Sequence, residues 1–154
     1  MENHARETIE FDVLYVGAGP ASLSSALYLS NLLKKENLKA SIVIIEKADE
    51  LGAHSISGAV LNPKTLEELI PNFKELNAPL NTKVANDGIY FLTQKKAFKL
   101  PVVPPPLNNH GYYIISLNNF VKWLGKIVET NGVDMFFGFP GQAVLYEGSK
   151  IIGI

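Results

Sequence analysis

Cysteine is absent from all 154 residues, which rules out disulfides, thiolate zinc sites, iron-sulfur ligation and a cysteine nucleophile within this chain. Charge of one sign is missing too. Lys and Arg number 14 against 15 Asp and Glu, a formal net charge of −1, so no field gathers nucleic acid, and Lys34-Lys35 and Lys95-Lys96 read as solvated surface. No apolar run approaches the ~18 residues that a spanning helix needs. The stretch Met1 to Asp12 carries Glu2, Glu7, Glu10 and Asp12, and neither a secretory signal nor a transit peptide is expected there. Histidines are few, and His4, His54 and His110 show no metal-ligand spacing, so no zinc or iron site is expected. What remains is the composition of an ordinary globular domain, 47% hydrophobic and 19% charged, at a length that suits one domain with its own core.

Local patterning predicts an α/β arrangement. Phe11 to Val16 is a short, nearly continuous apolar run ending at a glycine, as expected of a strand buried on both faces of a parallel sheet. Pro20 pre-sets the first turn of a helix whose Leu23, Ala26, Leu27 and Leu33 recur at helical spacing until Lys34-Lys35-Glu36-Asn37 ends the pattern. Ser41 to Glu46, rich in β-branched residues, is the second strand of a βαβ unit. Leu51 to Ala59 then reads as a loop, and Asn62 caps a short helix from Pro63 that Pro71 stops. Further strands are predicted at Ile89 to Thr93, Ala97 to Leu100, Tyr112 to Ser116, Met135 to Phe137, Ala143 to Tyr146 and Ile151 to Ile154, with a helix capped by Asn118 or Asn119 that runs through Val128.

Chemistry concentrates in Gly17-Ala18-Gly19-Pro20-Ala21-Ser22. Gly17 lets the chain turn out of the strand, Gly19 lets a pyrophosphate approach the backbone, and the helix N-terminus offers free amides and a positive dipole end. With no Lys or Arg between Asp12 and Leu33, the turn is a dinucleotide cradle rather than a triphosphate P-loop. Ser22 stands where the usual motif has its third glycine. Glu46, at the end of the second strand, can accept hydrogen bonds from ribose hydroxyls and repels a ribose phosphate, favouring FAD or NAD over NADP. It lies more than the usual ~20 residues beyond the glycines, which the longer helix and the polar Asn37 to Lys39 connection explain. The Gly52 to Ala59 loop followed by hairpin-like strands, in place of alternating helices and strands, favours FAD. His54, alone among small residues, reads as positional rather than acid-base. Tyr112, Tyr113, Phe120 and Trp123 read as packing.

Several stretches carry a more specific likeness: Gly17-Ala18-Gly19-Pro20-Ala21, Glu46-Lys47, Gly52-Ala53-His54-Ser55-Ile56-Ser57-Gly58-Ala59, Ala78-Pro79-Leu80-Asn81-Thr82, and Asn109-His110-Gly111 with Tyr113 to Leu117. Over essentially its whole length the chain resembles the amino-terminal part of electron-transfer flavoprotein:ubiquinone oxidoreductases. The resemblance implies a Rossmann-like FAD/NAD(P)-binding domain with inserted antiparallel strands, here truncated. It implies electrons passing from electron-transfer flavoprotein through FAD and a four-iron four-sulfur cluster to ubiquinone, with the cluster in the absent carboxy-terminal part. By the same resemblance Gly17, Ala18, Gly19, Pro20, Ala21 and Ser22 lie at the pyrophosphate and Glu46-Lys47 at the adenosine ribose. Gly52, Ala53, His54, Ser57 and Gly58 run along the cofactor toward its ring, and Ala143 faces the adenine through its backbone. Departures are Ser22 for a glycine and Ser116 where some related flavoproteins have arginine. A peripheral location is implied, on the cytoplasmic face of a bacterial inner membrane or, for a processed eukaryotic form, the mitochondrial inner membrane. Residues 89–107 are expected to contain a hairpin that touches that membrane, with Leu100 to Leu107 as an extended apolar tip beside Lys95, Lys96 and Lys99. Two alternatives stay open: a related membrane flavoprotein of the geranylgeranyl-reductase type, and a nucleotide-binding or membrane-docking fragment without turnover.

Overall fold

The computed structural model describes residues 7–56 and 58–154. Its elements run β1 (Val13–Val16), α1 (Pro20–Lys35), β2 (Ile42–Glu46), β3 (Ala59–Leu61), α2 (Pro63–Leu69), β4 (Thr82–Lys83), β5 (Tyr90–Leu92), β6 (Ala97–Lys99), a 3-10 turn (Pro105–Leu107), β7 (Tyr113–Ile115), α3 (Leu117–Thr130), β8 (Asp134–Phe137), β9 (Leu145–Glu147) and β10 (Lys150–Gly153). The chain before Ile56 and after Phe120 makes one unit, and Ile56–Phe120 makes the other.

In the first unit β1 and β2 pair in parallel, Val13 opposite Ile42 through Val16 opposite Ile45. β2 in turn pairs in parallel with β8, Val43 opposite Asp134 through Glu46 opposite Phe137. β2 is therefore the middle strand, and its β-branched Ile42, Val43 and Ile44 are buried, as a strand flanked on both sides requires. Pro20 opens α1 at a position whose amide has no helical acceptor to lose. The helix buries Leu23, Ala26, Leu27 and Ser30, a stripe at helical spacing. From α3, Val121, Leu124 and Val128 are fully buried. Each such aliphatic side chain contributes about 1.5–3 kcal/mol on leaving water. The one buried polar side chain among the described residues, Ser30, donates from Oγ to the Asn131 carbonyl at 2.9 Å, joining the end of α3 to α1. Beyond these elements β9 and β10 form an antiparallel hairpin.

The second unit contains a short antiparallel sheet, order β3-β7-β4, and the separate hairpin β5–β6. Its core is small: Leu66, Ile70, Phe73, Val84, Ile115 and Phe120 are buried. Asn62 caps α2 as expected, its Oδ1 accepting from the Lys64 amide at 3.1 Å. The expected architecture is thus present, parallel α/β with inserted antiparallel strands.

Several local expectations differ from the structure. β1 is not buried on both faces: Leu14 and Val16 remain 37% and 57% exposed, because successive side chains of a strand point to opposite faces and it is Tyr15, whose hydroxyl meets Ser25 Oγ at 2.9 Å, that points toward α1. α3 starts earlier than expected, and its cap is Ser116, whose Oγ accepts from the Asn119 amide at 3.4 Å. Asn118 and Asn119 lie inside the first turn. Ser116 thus has a local structural task at the start of α3. The tip after β6 is not fully extended. Pro105–Leu107 closes a 3-10 turn, with the Leu107 amide donating to the Pro104 carbonyl at 2.9 Å, which proline's fixed φ favours. Ala143 precedes the strand it was expected to open, since β9 begins at Leu145.

Candidate dinucleotide-binding site

The end of β1 delivers the chain into Gly17, whose φ of +91° suits glycine and whose amide donates to the Ile45 carbonyl at 2.7 Å. Gly19 is the N-cap of α1 and offers no side chain to cap it. The amides of Ala21 and Ser22 in the first turn therefore have no intrahelical acceptor. A Cβ built on Gly19 would meet no heavy atom within 4 Å, so the space above the helix terminus stays open to an anion drawn by those amides and the dipole.

Glu46 closes the turn from the side. Its Oε2 accepts from the Ala18 amide at 2.7 Å and its Oε1 from the Ala48 amide at 2.9 Å. Ala18 is thereby turned toward the carboxylate. A carboxylate has about four lone-pair sites, so two amides leave capacity for ribose hydroxyls. Partial burial by itself raises the Glu46 pKa, but the Ala18 and Ala48 amides, aided by His54 and Lys47, hold it below its ordinary value of 4.5. The group is ionised at neutral pH and carries the charge that disfavours a ribose phosphate.

Beyond β2 the chain passes exposed Lys47 and buried Ala48 into the turn Leu51–His54, where Gly52 has φ +75° and the Ser55 amide donates to the Gly52 carbonyl at 2.9 Å. Ala53 and His54 are exposed. The site therefore gathers Gly17 to Ser22, Glu46, Lys47 and Gly52 to His54 within one unit. Gly58, at φ +97° with open space around a Cβ, belongs to the other unit, and Ser57 lies outside the described residues. Ala143 is exposed, ahead of β9.

The motif reading missed residues that hold the loop after β2. The amides of Gly138 and Phe139 donate to the carbonyls of Ala48 and Glu46 at 3.0 and 2.9 Å. From α3, Lys122 Nζ meets Glu50 Oε1 at 3.0 Å. A Cβ on Gly125 would overlap Leu51 Cδ1, so this glycine gives Leu51 its seat on the helix. A glycine inside a helix costs about 1 kcal/mol against alanine, and its place within Leu117–Thr130 was the available signal.

Glu46 also makes stability depend on pH. Because its pKa is lower folded than unfolded, its contribution is complete above 4.5 and disappears as pH falls through the depressed value. The wild-type unfolding midpoint is expected to drop more steeply than that of Glu46→Gln between about pH 5 and about pH 3, measured by circular dichroism. Parallel curves would show that the carboxylate has no such linkage.

A parallel sheet leading through a glycine turn into a helix, with an acid at the end of the adjacent strand, defines a dinucleotide-binding α/β domain. The sequence comparisons narrow this. The chain is 46% identical over 147 residues to the mitochondrial electron transfer flavoprotein-ubiquinone oxidoreductase of Dictyostelium discoideum, covering 96% of this chain and 24% of that protein. It is 43% identical over 150 residues to the Arabidopsis thaliana counterpart (97% and 23%), and 45% identical over 150 residues to that of Pseudomonas aeruginosa (96% and 27%). Over nearly its whole length the chain is homologous to electron transfer flavoprotein-ubiquinone oxidoreductases, and it spans about a quarter of the length of these relatives. No family model matches it.

Among solved structures it is similar to a geranylgeranyl bacteriochlorophyll reductase-like protein of Thermoplasma acidophilum, with TM-score 0.67 and 24% identity over 92% of this chain and 33% of that one. It is also similar to the flavin-dependent monooxygenase PieE, solved with FAD and substrate, with TM-score 0.66 and 17% identity over 95% and 27%. These likenesses establish a Rossmann-like fold of the kind found in FAD-dependent enzymes.

Proposed function

We propose that this chain is the FAD-binding part of an oxidoreductase that passes electrons from electron-transfer flavoprotein to ubiquinone. The observation that carries the reading is the open glycine turn flanked by the Glu46 carboxylate, in a chain whose curated relatives bear that enzyme's name. Gly17 and Gly19 bring backbone to the pyrophosphate, the Ala21 and Ser22 amides receive its charge, and Glu46 takes the adenosine ribose. Lys47, exposed beside Glu46, adds positive potential there, while Gly52 to His54 follow the cofactor toward its ring. Ala143 offers backbone to the adenine. Bound FAD would supply the electron chemistry, and the protein's part is to hold and orient it. No side chain in the site needs to move a proton, and His54 serves position and potential. The test is titration of the purified chain with FAD, followed by flavin fluorescence and absorbance; a chain that takes up no flavin would leave the binding-fragment reading. Sequence identity favours the ubiquinone oxidoreductases over the geranylgeranyl-reductase type, whose likeness is one of fold.

Membrane contact is part of the same proposal. No helix among the described residues is long and apolar enough to cross a bilayer, so attachment would be peripheral. In the hairpin β5–β6 and the segment after it, Phe91, Leu92, Val102 and Leu107 are 62%, 71%, 68% and 53% exposed, with Lys95, Lys96 and Lys99 beside them. The base of the segment is fastened. Asn109 donates from its backbone and side-chain nitrogens to the Asp87 carboxylate at 2.8 and 3.1 Å, and His110 Nδ1 donates to the Ala85 carbonyl at 2.8 Å. Apolar side chains held out in this way contribute ~1.5–3 kcal/mol each when fully buried, and the lysines add attraction to anionic head groups. The chain is expected to sediment with vesicles rich in phosphatidylglycerol, and Val102→Asp with Val103→Asp to leave most of it in solution. Sedimentation unaffected by the double substitution would remove membrane contact at this segment.

A further inference from the structure

We infer that Gly125 of α3, remote in sequence from the nucleotide motif, is a positioning residue that sets how far Gly52 to His54 reach toward the flavin half of the cofactor. The inference rests on the FAD reading above. The loop after β2 meets α3 through Glu50 and through Leu51. The Lys122–Glu50 pair joins side chains that are 40% and 66% exposed, and such a pair constrains geometry weakly. The apolar attachment is Leu51 lying against Gly125, where Leu51 Cγ and Cδ2 would stand 3.4 and 3.5 Å from an added Cβ and Cδ1 would overlap it. Leu51 immediately precedes Gly52, so its seat fixes where the turn begins.

Alanine at 125 would favour the helix on intrinsic grounds. It therefore leaves α3 folded while forcing the flexible end of Leu51 out of its seat. The adenosine half of the site is held independently of that seat. Gly17 is tied to β2 through the Ile45 carbonyl, Glu46 is tied to the Ala18 and Ala48 amides, and the Glu46 carbonyl accepts from Phe139. Displacing Leu51 thus separates the two halves of the ligand: the segment directed at the ring moves, while the segment directed at the adenosine diphosphate stays.

The experiment is titration of the purified chain with FAD and, separately, with ADP as a probe of the adenosine half, for wild type, Gly125→Ala, and Gly125→Ala combined with Leu51→Val. Gly125→Ala is expected to weaken FAD about three- to tenfold and to change ADP affinity by less than about twofold. Leu51→Val, which lacks the overlapping δ carbon, is expected to restore FAD affinity in the Gly125→Ala background. Equal weakening of FAD and ADP would assign Gly125 a general structural role and overturn the inference, as would unchanged affinity for both. A wild-type chain that binds ADP but gains nothing from the flavin half would overturn it at the first measurement. One that binds neither ligand removes the FAD reading and this inference with it.

Discussion

Gly19→Val is expected to abolish FAD binding while leaving the fold in place. Gly19 has ordinary extended backbone angles, φ −80° and ψ 174°, which a β-branched residue adopts without strain. A Cβ there meets nothing of the protein within 4 Å. The cost to the protein is the poorer capping of α1 by valine than by glycine, about 1 kcal/mol or less. The cost to the ligand is much larger, because the valine methyls project into the space over the Ala21 and Ser22 amides where a pyrophosphate would make its backbone hydrogen bonds. Loss of several charge-assisted bonds, each worth about 1.5–3 kcal/mol, is enough to put binding beyond detection in a fluorescence-quenching titration. Gly17→Val makes the contrast. At φ +91° any side chain is strained, so that variant should lose stability together with affinity. Unchanged FAD affinity in Gly19→Val, with circular dichroism showing an intact fold, would place the pyrophosphate somewhere other than this turn.

The strand, turn and helix from Val13 to Lys35, and Glu46 at the end of β2, were legible in the sequence because each rests on short-range chemistry. A glycine where the chain must turn, a proline where no amide is needed and β-branched residues in a central strand each show in a window of a few residues. The partner of β2 was not legible. β8 lies far along the chain, and nothing in Asp134 to Phe137 says that its edge meets Val43 to Glu46 rather than the strands nearer in sequence. β3 and β4, three and two residues long, carry too little periodicity to be seen. The Ser116 cap was missed because Asn118 and Asn119 are equally good capping residues by type, and the choice falls to where β7 ends. At the site, Glu46 was read as free to meet a ribose, and its two amide partners at Ala18 and Ala48 emerge only when the turn and the strand end stand side by side. The Leu51 seat on Gly125 is the clearest case. Both residues are visible in the sequence, but their meeting depends on how α3 packs beside the end of β2, which no local pattern encodes.

The 154-residue chain is expected not to pass electrons from reduced electron-transfer flavoprotein to ubiquinone, even when it takes up FAD. The family resemblance implies a four-iron four-sulfur cluster in the electron path, and such clusters are held by cysteine thiolates. This chain has no cysteine, so it supplies none of the usual thiolate ligands for such a cluster. The length comparison agrees, since the chain accounts for about a quarter of each relative. The measurement is quinol formation from a soluble quinone, with reduced electron-transfer flavoprotein as donor, in the presence and absence of added FAD. Flavin reduction without quinol production is the expected result. Catalytic, flavin-dependent quinol formation at the rate of a full-length relative would show that electrons reach the quinone directly from the flavin, and the implied need for a cluster would fall.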